Sequence, residues 1–296
     1  MRFGLYLPPF GEFADARRVA DLAVAAEETG WAGLFLWDHM LADPGLAVAE
    51  AWTTLAAMAM VTRAIRIGAL VTPLARRRPW TLARQIATID QLSGGRLVAG
   101  IGLGDDGWKE FSSFGETAEP RARGQLLDES LEILQGLLSG QPVRYQGDRY
   151  AVDSGPFLPR PAQDPVPIWA ACSWPNRKPL ARAARLQGCF PVFMTDGQRP
   201  APPAAENLIA LRAELRRLGA PDDHDLIVRC ALHRLDPAQR PGVLATLADC
   251  GVTWLLEGFG PGQSATAVEA FVQAGPPTMP PEDQTAPPED QYMGDR

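Results

Sequence analysis

The sequence predicts an α/β protein that folds as a closed parallel (β/α)8 TIM barrel. Short apolar runs alternate with segments of 3.6-residue apolar period, and eight such strand–helix units follow one another. The runs are apolar throughout, as is typical of parallel strands that are covered on both faces. The chain has 296 residues, and one such barrel takes about 250.

The alternative to a barrel is a doubly wound open sheet. Its dinucleotide fingerprint requires a glycine-rich turn after the first strand, whereas this turn reads Pro-Pro-Phe-Gly. Gly100, Gly102 and Gly104 alternate after the fourth strand, but no further glycine at the required spacing opens a helix. We therefore favour the barrel.

The first two units end at proline, glycine and charged residues. The run 3–7 is the first predicted strand, and a proline pair stops it. In 15–29, valine, leucine and alanine share one helical face, and Gly30 follows in the position where glycine commonly ends a helix. The run 33–37 is the second strand and stops at Asp-His, and 47–62 is the second helix.

The third and fourth units repeat this pattern. The run 65–71 is a strand stopped by Thr-Pro, and the helix 79–92 that follows ends at Ser-Gly-Gly. The run 97–101 is the fourth strand. The helix 121–138 is strongly amphipathic, with leucine and isoleucine on one face and acidic residues on the other.

An insertion interrupts the alternation at 140–165, between the fourth helix and the fifth strand. A Tyr-Gln-Gly-Asp-Arg-Tyr stretch predicts a hairpin there, and five prolines between 156 and 167 predict an extended connection. The alternation then resumes. The remaining strands are predicted at 168–171, 190–193, 226–232 and 252–256, and their helices at 178–187, 203–218, 238–249 and 264–273.

The C-terminal residues 276–296 differ from the predicted barrel domain, 1–275. They contain six prolines, a repeated Pro-Pro-Glu-Asp-Gln, five acidic residues and one arginine. Such a segment cannot bury an apolar core. We expect it to be a disordered or extended acidic tail.

Composition excludes several classes of function. The net charge of −7 argues against nucleic-acid partners, which require a basic surface. No apolar run reaches the roughly 20 residues of a membrane span. The four cysteines form no CxxC pair and the three histidines form no HxH or HExxH motif. We therefore expect a reduced cytoplasmic protein without a metal site.

The barrel topology predicts where chemistry occurs, because active sites of such barrels lie at the carboxyl ends of the strands. These ends carry Pro8, Asp38, His39, Val71, Thr72, Gly102, Gly104, Asp105, Ser173, Trp174, Thr195, His233 and Glu257. They include no lysine for a Schiff base and no carboxylate pair on neighbouring strands. The mostly apolar or small rim suits a large flat cofactor that brings its own chemistry.

Several sequence blocks resemble the bacterial luciferase-like family of flavin- or deazaflavin-dependent oxidoreductases. The blocks are RIGALVTPL at 66–74, RPWTLARQ at 78–85, LSGGRL at 92–97 and GIGLG at 100–104. Asp38-His39 after the second strand and Glu110-Phe111 after the fourth agree with them. The resemblance covers about residues 1–275 and implies the same barrel fold.

The resemblance also implies a cofactor site. Family members bend the third strand with a non-prolyl cis peptide behind the flavin ring, and the matching bond here is Ala69–Leu70; the alternative is an ordinary buried strand. Ser173, Trp174 and Arg177 match the loop that meets the cofactor phosphate. The full set assigned to the cofactor is Ala69, Leu70, Val71, Gly102, Gly104, Ser173, Trp174, Arg177 and Thr195.

Two residues are the catalytic candidates. His39 matches a family histidine at the reacting face of the ring and could donate or accept a proton. Asp38 either orients His39 or caps the second helix. Where some flavin-using relatives hold the phosphate with an arginine, this chain has Leu103. The basic run 76–78 either reaches an anionic cofactor tail or lies in a solvated loop paired with nearby acids.

The main functional hypothesis is a monooxygenase that uses reduced FMN, supplied by a separate flavin reductase, and O2 on a small organic substrate. The first alternative is a deazaflavin (F420)-dependent dehydrogenase or reductase, in which a hydride moves and oxygen takes no part. The second is a non-catalytic flavin-binding protein. The resemblance further implies a homodimer.

Overall fold

Eight parallel strands form a closed ring in the computed structural model, which describes residues 1–193 and 203–279. The ring strands are β1 (Arg2–Leu7), β2 (Gly33–Leu36), β3 (Arg66–Pro73), β4 (Leu97–Gly102), β7 (Ile168–Trp174), β8 (Gly188–Phe193), β9 (Asp225–Cys230) and β10 (Trp254–Gly258). Their order around the ring is β1-β10-β9-β8-β7-β4-β3-β2. The predicted (β/α)8 barrel is confirmed.

Helices separate the strands and cover the outside of the ring. They are α1 (Ala16–Glu28), α2 (Ala51–Val61), α3 (Pro79–Ser93), α4 (Pro120–Leu138), α5 (Arg177–Ala183), α6 (Ala205–Arg217), α7 (Arg240–Asp249) and α8 (Ala265–Gln273). None of the helices in the described ranges is long and apolar enough to cross a membrane.

The second helix begins four residues later than predicted. Its first residue is Ala51, because the Glu50 carboxylate caps the helix by accepting a hydrogen bond of 2.6 Å from the Thr53 N–H. A side chain that satisfies a free N–H of the first turn fixes where a helix starts. The apolar residues before Glu50 lie in the loop that follows β2.

The insertion contains the expected hairpin. Antiparallel strands β5 (Val143–Gln146) and β6 (Ala151–Ser154) pair outside the ring, between α4 and β7. Most of the predicted acidic tail, residues 280–296, lies outside the described residues.

Aromatic side chains fill the inside of the ring. Phe35, Trp169 and Trp254 contact one another with ring centroids 5.3 to 5.7 Å apart. A second apolar cluster lies between the strands and the helices. The barrel centre is therefore a packed core, and a ligand of this barrel is expected above it, at the carboxyl ends of the strands.

Gly68 is required by the close pairing of β3 with β4. A Cβ at this position would lie 2.1 Å from the Val98 carbonyl oxygen, a backbone atom that cannot rotate away. We expect Gly68→Ala to lower the free energy of unfolding by about 3 kcal/mol, the upper end for overpacked cores. Urea denaturation followed by circular dichroism measures the change.

Gly242 provides the matched control for Gly68. It lies in α7, and a Cβ there has no atom within 4 Å. Gly242→Ala should keep or raise stability, by up to about 1 kcal/mol, because alanine is the better helix former. A Gly68→Ala variant with the wild-type denaturation midpoint would show that the strand spacing adapts.

Candidate active site

A cavity of about 720 Å³ opens at the carboxyl ends of the strands. This volume lies within the range of small-molecule and cofactor sites. The predicted site residues that line it are Asp38, His39, Leu70, Val71, Gly104 and Ser173. The cavity thus brings together residues that lie in β3 and β7 with residues that follow β2 and β4.

His39 lies in the cavity wall with one ring nitrogen fixed. Its Nδ1 is 2.7 Å from Oε2 of Glu110, which follows β4. The Glu110 carboxylate is 2% exposed and the His39 side chain 25% exposed. A carboxylate partner at Nδ1 fixes the tautomer with the proton on Nδ1, so that Nε2 is free to accept a proton.

Aromatic rings surround His39. Its ring centroid lies 4.9 Å from that of Trp108 and 5.8 Å from those of Phe10 and Trp37. These rings restrict the imidazole and exclude water from its faces. The imidazole thus lies in surroundings of low polarity, where nearby charges act more strongly than in water.

The Glu110 carboxylate has several donors besides His39. It accepts hydrogen bonds from the Met40 N–H and from Nη1 of Arg76, the latter at 3.0 Å. Burial favours the neutral acid, but the hydrogen bonds from His39 and Met40 and the positive charge of Arg76 outweigh it and hold the pKa of Glu110 below its usual value. Glu110 is therefore ionised where it contacts His39.

Asp38 has neither of its two predicted roles. Its carboxylate lies 2.8 Å from Nη2 of Arg77 and 3.2 Å from both Nη2 of Arg76 and Nε1 of Trp52. Glu50 caps α2, and Glu110 orients His39. Asp38 cannot orient His39 because the two arginines hold its carboxylate away from the imidazole.

One alternative for the basic run 76–78 was a solvated loop whose arginines pair with nearby acids, and only part of this is observed. The side chains of Arg76 and Arg77 are 6% and 16% exposed and pair with acidic residues, as one alternative expected. Arg78 is exposed and lies over the Trp80 ring. The first two arginines form a buried ion-pair network under the His39–Glu110 pair.

The back wall of the cavity is formed by β3. The non-prolyl cis peptide joins Leu70 to Val71, so that the prediction of Ala69–Leu70 was wrong by one residue. The register of β3 on β4 shifts between Ala69 and Thr72, and both Leu70 and Val71 face the cavity. Ala69 belongs instead to the outer core between strands and helices.

Glycines at the end of β4 and just beyond it leave room for this wall. A Cβ on Gly102 would lie 2.4 Å from Cγ2 of Val71. Gly104 lines the cavity, and its φ of +75° is a conformation that favours glycine. Leu103, at the position of the family arginine, also faces the cavity.

Of the three residues predicted to meet the cofactor phosphate, only one lines the cavity. Ser173 lines the cavity, but Trp174 packs against the outer core and Arg177 is exposed beyond the cavity wall. Alternation along β7 turns Ser173 inward and Trp174 outward. Thr195, the last predicted contact, lies outside the described residues.

The cations that do line the cavity come from two helices. They are Arg121 of α4 with Lys178 and Arg182 of α5. Asp128 pairs with Lys178 at 3.2 Å and with Nε of Arg182 at 2.9 Å. Arg121 is exposed, and the Lys178 side chain is 73% exposed, so both can reach an anionic group at this end.

Sequence reasoning did not assign a role to Glu110 or Arg182, and it treated Arg76 as a loop cation. Glu110 lies eight residues after β4, so that its approach to His39 depends on the path of a long loop. The sequence did offer one indication of its position. Glu110 precedes Phe111 in the loop after β4, which also contains the predicted cofactor-binding residue Gly104. Arg182 offered no comparable signal.

Comparison with known proteins identifies the family. The model of the luciferase-like monooxygenase family matches residues 1–240, and the chain belongs to this family. An F420-dependent glucose-6-phosphate dehydrogenase of Nakamurella multipartita is 33% identical over 222 residues, which are 74% of this chain and 63% of the relative. The chain thus spans less than two thirds of that relative's length.

Solved structures agree on the fold. A coenzyme F420-dependent tetrahydromethanopterin reductase from Methanopyrus kandleri superimposes with a TM-score of 0.70 at 18% identity, covering 93% of this chain and 98% of that one. The monooxygenase RslO1 from Streptomyces bottropensis gives 0.70 at 20% identity, covering 92% and 98%. These similarities show a shared barrel fold, in F420-dependent enzymes and monooxygenases alike.

Proposed function

We propose that the protein is an F420-dependent oxidoreductase that transfers a hydride between a small hydroxyl-bearing substrate and the deazaflavin. The observation that carries this proposal is His39, whose Nδ1 is held by the buried Glu110 carboxylate while the ring lines the cavity beside Leu70 and Val71. An ordered base beside a flat apolar wall is what an alcohol dehydrogenation needs.

The residues present fit a deazaflavin coenzyme. Leu70 and Val71 offer an apolar seat for a planar ring, and Gly102 leaves that wall undisturbed. Arg121 and Lys178 offer positive charge for an anionic tail at the β4–β7 side. The coenzyme, when bound, supplies a two-electron hydride acceptor.

The side chains of this protein handle the proton. Nε2 of His39 accepts the hydroxyl proton as the substrate carbon loses its hydride, and Glu110 stabilises the imidazolium that forms. Trp108, Phe10 and Trp37 keep bulk water away from the imidazole. In the reverse direction, the imidazolium returns the proton to the substrate oxygen.

Two further observations favour F420 over the reduced FMN of the main sequence-based hypothesis. Leu103 offers no cation at the position where some flavin-using relatives place the phosphate-binding arginine. The curated relative named above is F420-dependent. A hydride-transfer enzyme of this kind has no need of the separate flavin reductase that we expected.

An anaerobic fluorescence titration with F420, oxidised FMN and reduced FMN tests the proposal. We expect F420 to bind at least about tenfold more tightly than either form of FMN. Addition of glucose 6-phosphate or propan-2-ol to the F420 complex should then bleach the coenzyme absorbance, with no change of rate on admitting air. Selective binding of reduced FMN followed by oxygen consumption would support the monooxygenase instead.

A further inference from the structure

The inner face of β9 places a positive charge in the mouth of the barrel. Leu226, Val228 and Cys230 point outward into the core beneath the helices, and Ile227 belongs to the inner cluster. Alternation therefore turns Arg229 inward, one layer above Ile227. The residues of the inner cluster carry no carboxylate that could pair with it.

Neighbouring strands make space for the Arg229 side chain. Its guanidinium lies over the Tyr6 ring of β1, 5.7 Å from the ring centroid. The aliphatic part of the Arg229 side chain occupies the space beside Gly258 of β10. A Cβ on Gly258 would lie 2.8 Å from Cγ of Arg229. The arginine is thus half-buried in a pocket between three adjacent strands, β1, β10 and β9.

Within the described ranges, 1–193 and 203–279, the Arg229 guanidinium has no hydrogen bond or carboxylate partner. Glu257 is close in sequence to Gly258, but its carboxylate accepts from the His233 ring and from the N–H groups of Leu232 and His233. Tyr6 supplies no charge, because burial raises its pKa to about 12, only partly offset by Arg229. Taking a cation out of water without a counter-charge is costly.

Contacts connect Arg229 to the catalytic side of the cavity. Tyr6 lines the same cavity as His39. Its ring centroid is 5.5 Å from that of Trp37, which in turn is 5.8 Å from that of His39. A molecule lying over Tyr6 and Trp37 would present one end to Arg229 and the other to His39.

We propose that Arg229 binds the anionic group, a phosphate or a carboxylate, of the substrate whose hydroxyl proton His39 accepts. This inference rests on the proposed function and names its substrate class: hydroxy compounds that carry an anionic group a few carbons from the reacting carbon. A guanidinium forms paired, charge-assisted hydrogen bonds with either group. The cations of α4 and α5 remain for the coenzyme.

Calorimetric titration of the coenzyme-free protein with three probes tests the proposal. The probes are glucose 6-phosphate, gluconate and glucose, which separate phosphate, carboxylate and neutral ligands. Wild-type protein should bind one of the two anionic probes more tightly than glucose. Arg229→Gln should weaken that binding by about 10- to 100-fold, as expected for a charge-assisted bond, and leave glucose unchanged. Arg229→Lys should lie between.

Arg216→Gln is the matched control, since Arg216 is exposed on α6 and its loss changes the net charge equally. It should bind all three probes as the wild type does. Equal affinity of wild type and Arg229→Gln for the anionic probes would overturn the proposal, as would wild-type protein that binds neither anion. Circular dichroism shows whether each variant is folded.

A parallel F420 titration separates this proposal from the proposed function. If Arg229→Gln weakens F420 binding by the same factor as sugar phosphate, Arg229 holds the coenzyme and the substrate assignment is wrong. If wild-type protein binds no F420 but its anion binding still depends on Arg229, the anion site stands and the proposed coenzyme fails.

Discussion

Replacing His39 with alanine should lower kcat by about two to four orders of magnitude, the usual contribution of general acid–base catalysis. In the proposed mechanism the imidazole holds the hydroxyl proton, and the Glu110 carboxylate, 2.7 Å away, fixes its tautomer. The affinity for F420 should change little, because Leu70, Val71 and the helix cations remain. Steady-state bleaching of the coenzyme at saturating substrate measures kcat, and fluorescence titration measures affinity.

His233 provides a control of the same residue type. It also pairs with a buried glutamate, Glu257, but it packs on Phe259 away from the residues that line the cavity. His233→Ala should keep kcat within about threefold, whatever it does to stability. Equal losses of kcat in His39→Ala and His233→Ala would indicate a structural effect and remove the proton-transfer role of His39.

Replacing Arg76 with methionine should destabilise the fold by about 3–5 kcal/mol, the cost of leaving a buried ion pair without one partner. Nη1 of Arg76 lies 3.0 Å from Glu110 and Nη2 lies 3.2 Å from Asp38, and both carboxylates are about 2% exposed or less. Methionine keeps an unbranched apolar stem but ends short of the guanidinium, so that the charge and the hydrogen bonds are lost. Urea denaturation at neutral pH measures the loss.

The same variant should change how stability depends on pH. The pKa of Glu110 is depressed in the folded protein, so that Glu110 contributes stability above its unfolded pKa, and this contribution is lost as pH falls through the folded pKa. Without Arg76 the folded pKa of Glu110 rises, and less stability is lost on acidification. Arg78→Met, at an exposed arginine of the same loop, should match the wild type at each pH.

The barrel was predictable because each strand and helix carries its own signal. Most of the eight apolar runs end at proline, glycine or charged residues, and the insertion at 140–165 contains the hairpin β5–β6. These are local properties of the chain. The carboxyl ends of the strands then follow from topology, which is why His39, Leu70, Val71 and Ser173 fall in the cavity.

The partners within the site were harder to predict because they depend on the paths of loops. Asp38 is adjacent to His39 in sequence, yet the carboxylate that reaches the imidazole comes from Glu110, 71 positions further along the chain. Sequence distance gives no measure of that approach. Likewise, a resemblance between motifs placed the cis peptide at Ala69–Leu70, one bond away from its position at Leu70–Val71.

Arg229 is visible in the sequence as a charged residue in a predicted strand, but the sequence analysis gave it no role. It is the charged residue within the apolar run 226–232, and it occupies an inward-facing position of β9. A strand that is covered on both faces keeps water away from such a side chain. The charge therefore indicates that the arginine interacts with a polar or anionic partner at the end of the strand.

The pairing of β1 with β10 has a consequence for how the protein is made. The ring closes through contacts such as Arg2 with Trp254 and Tyr6 with Gly258, between the first and last strands of the chain. During synthesis the first strand is therefore paired on one side only until the ribosome has delivered residue 258. A nascent barrel exposes two open edges for most of translation, and open edges promote aggregation. Production of this protein should thus depend on chaperone supply more steeply than its final stability suggests.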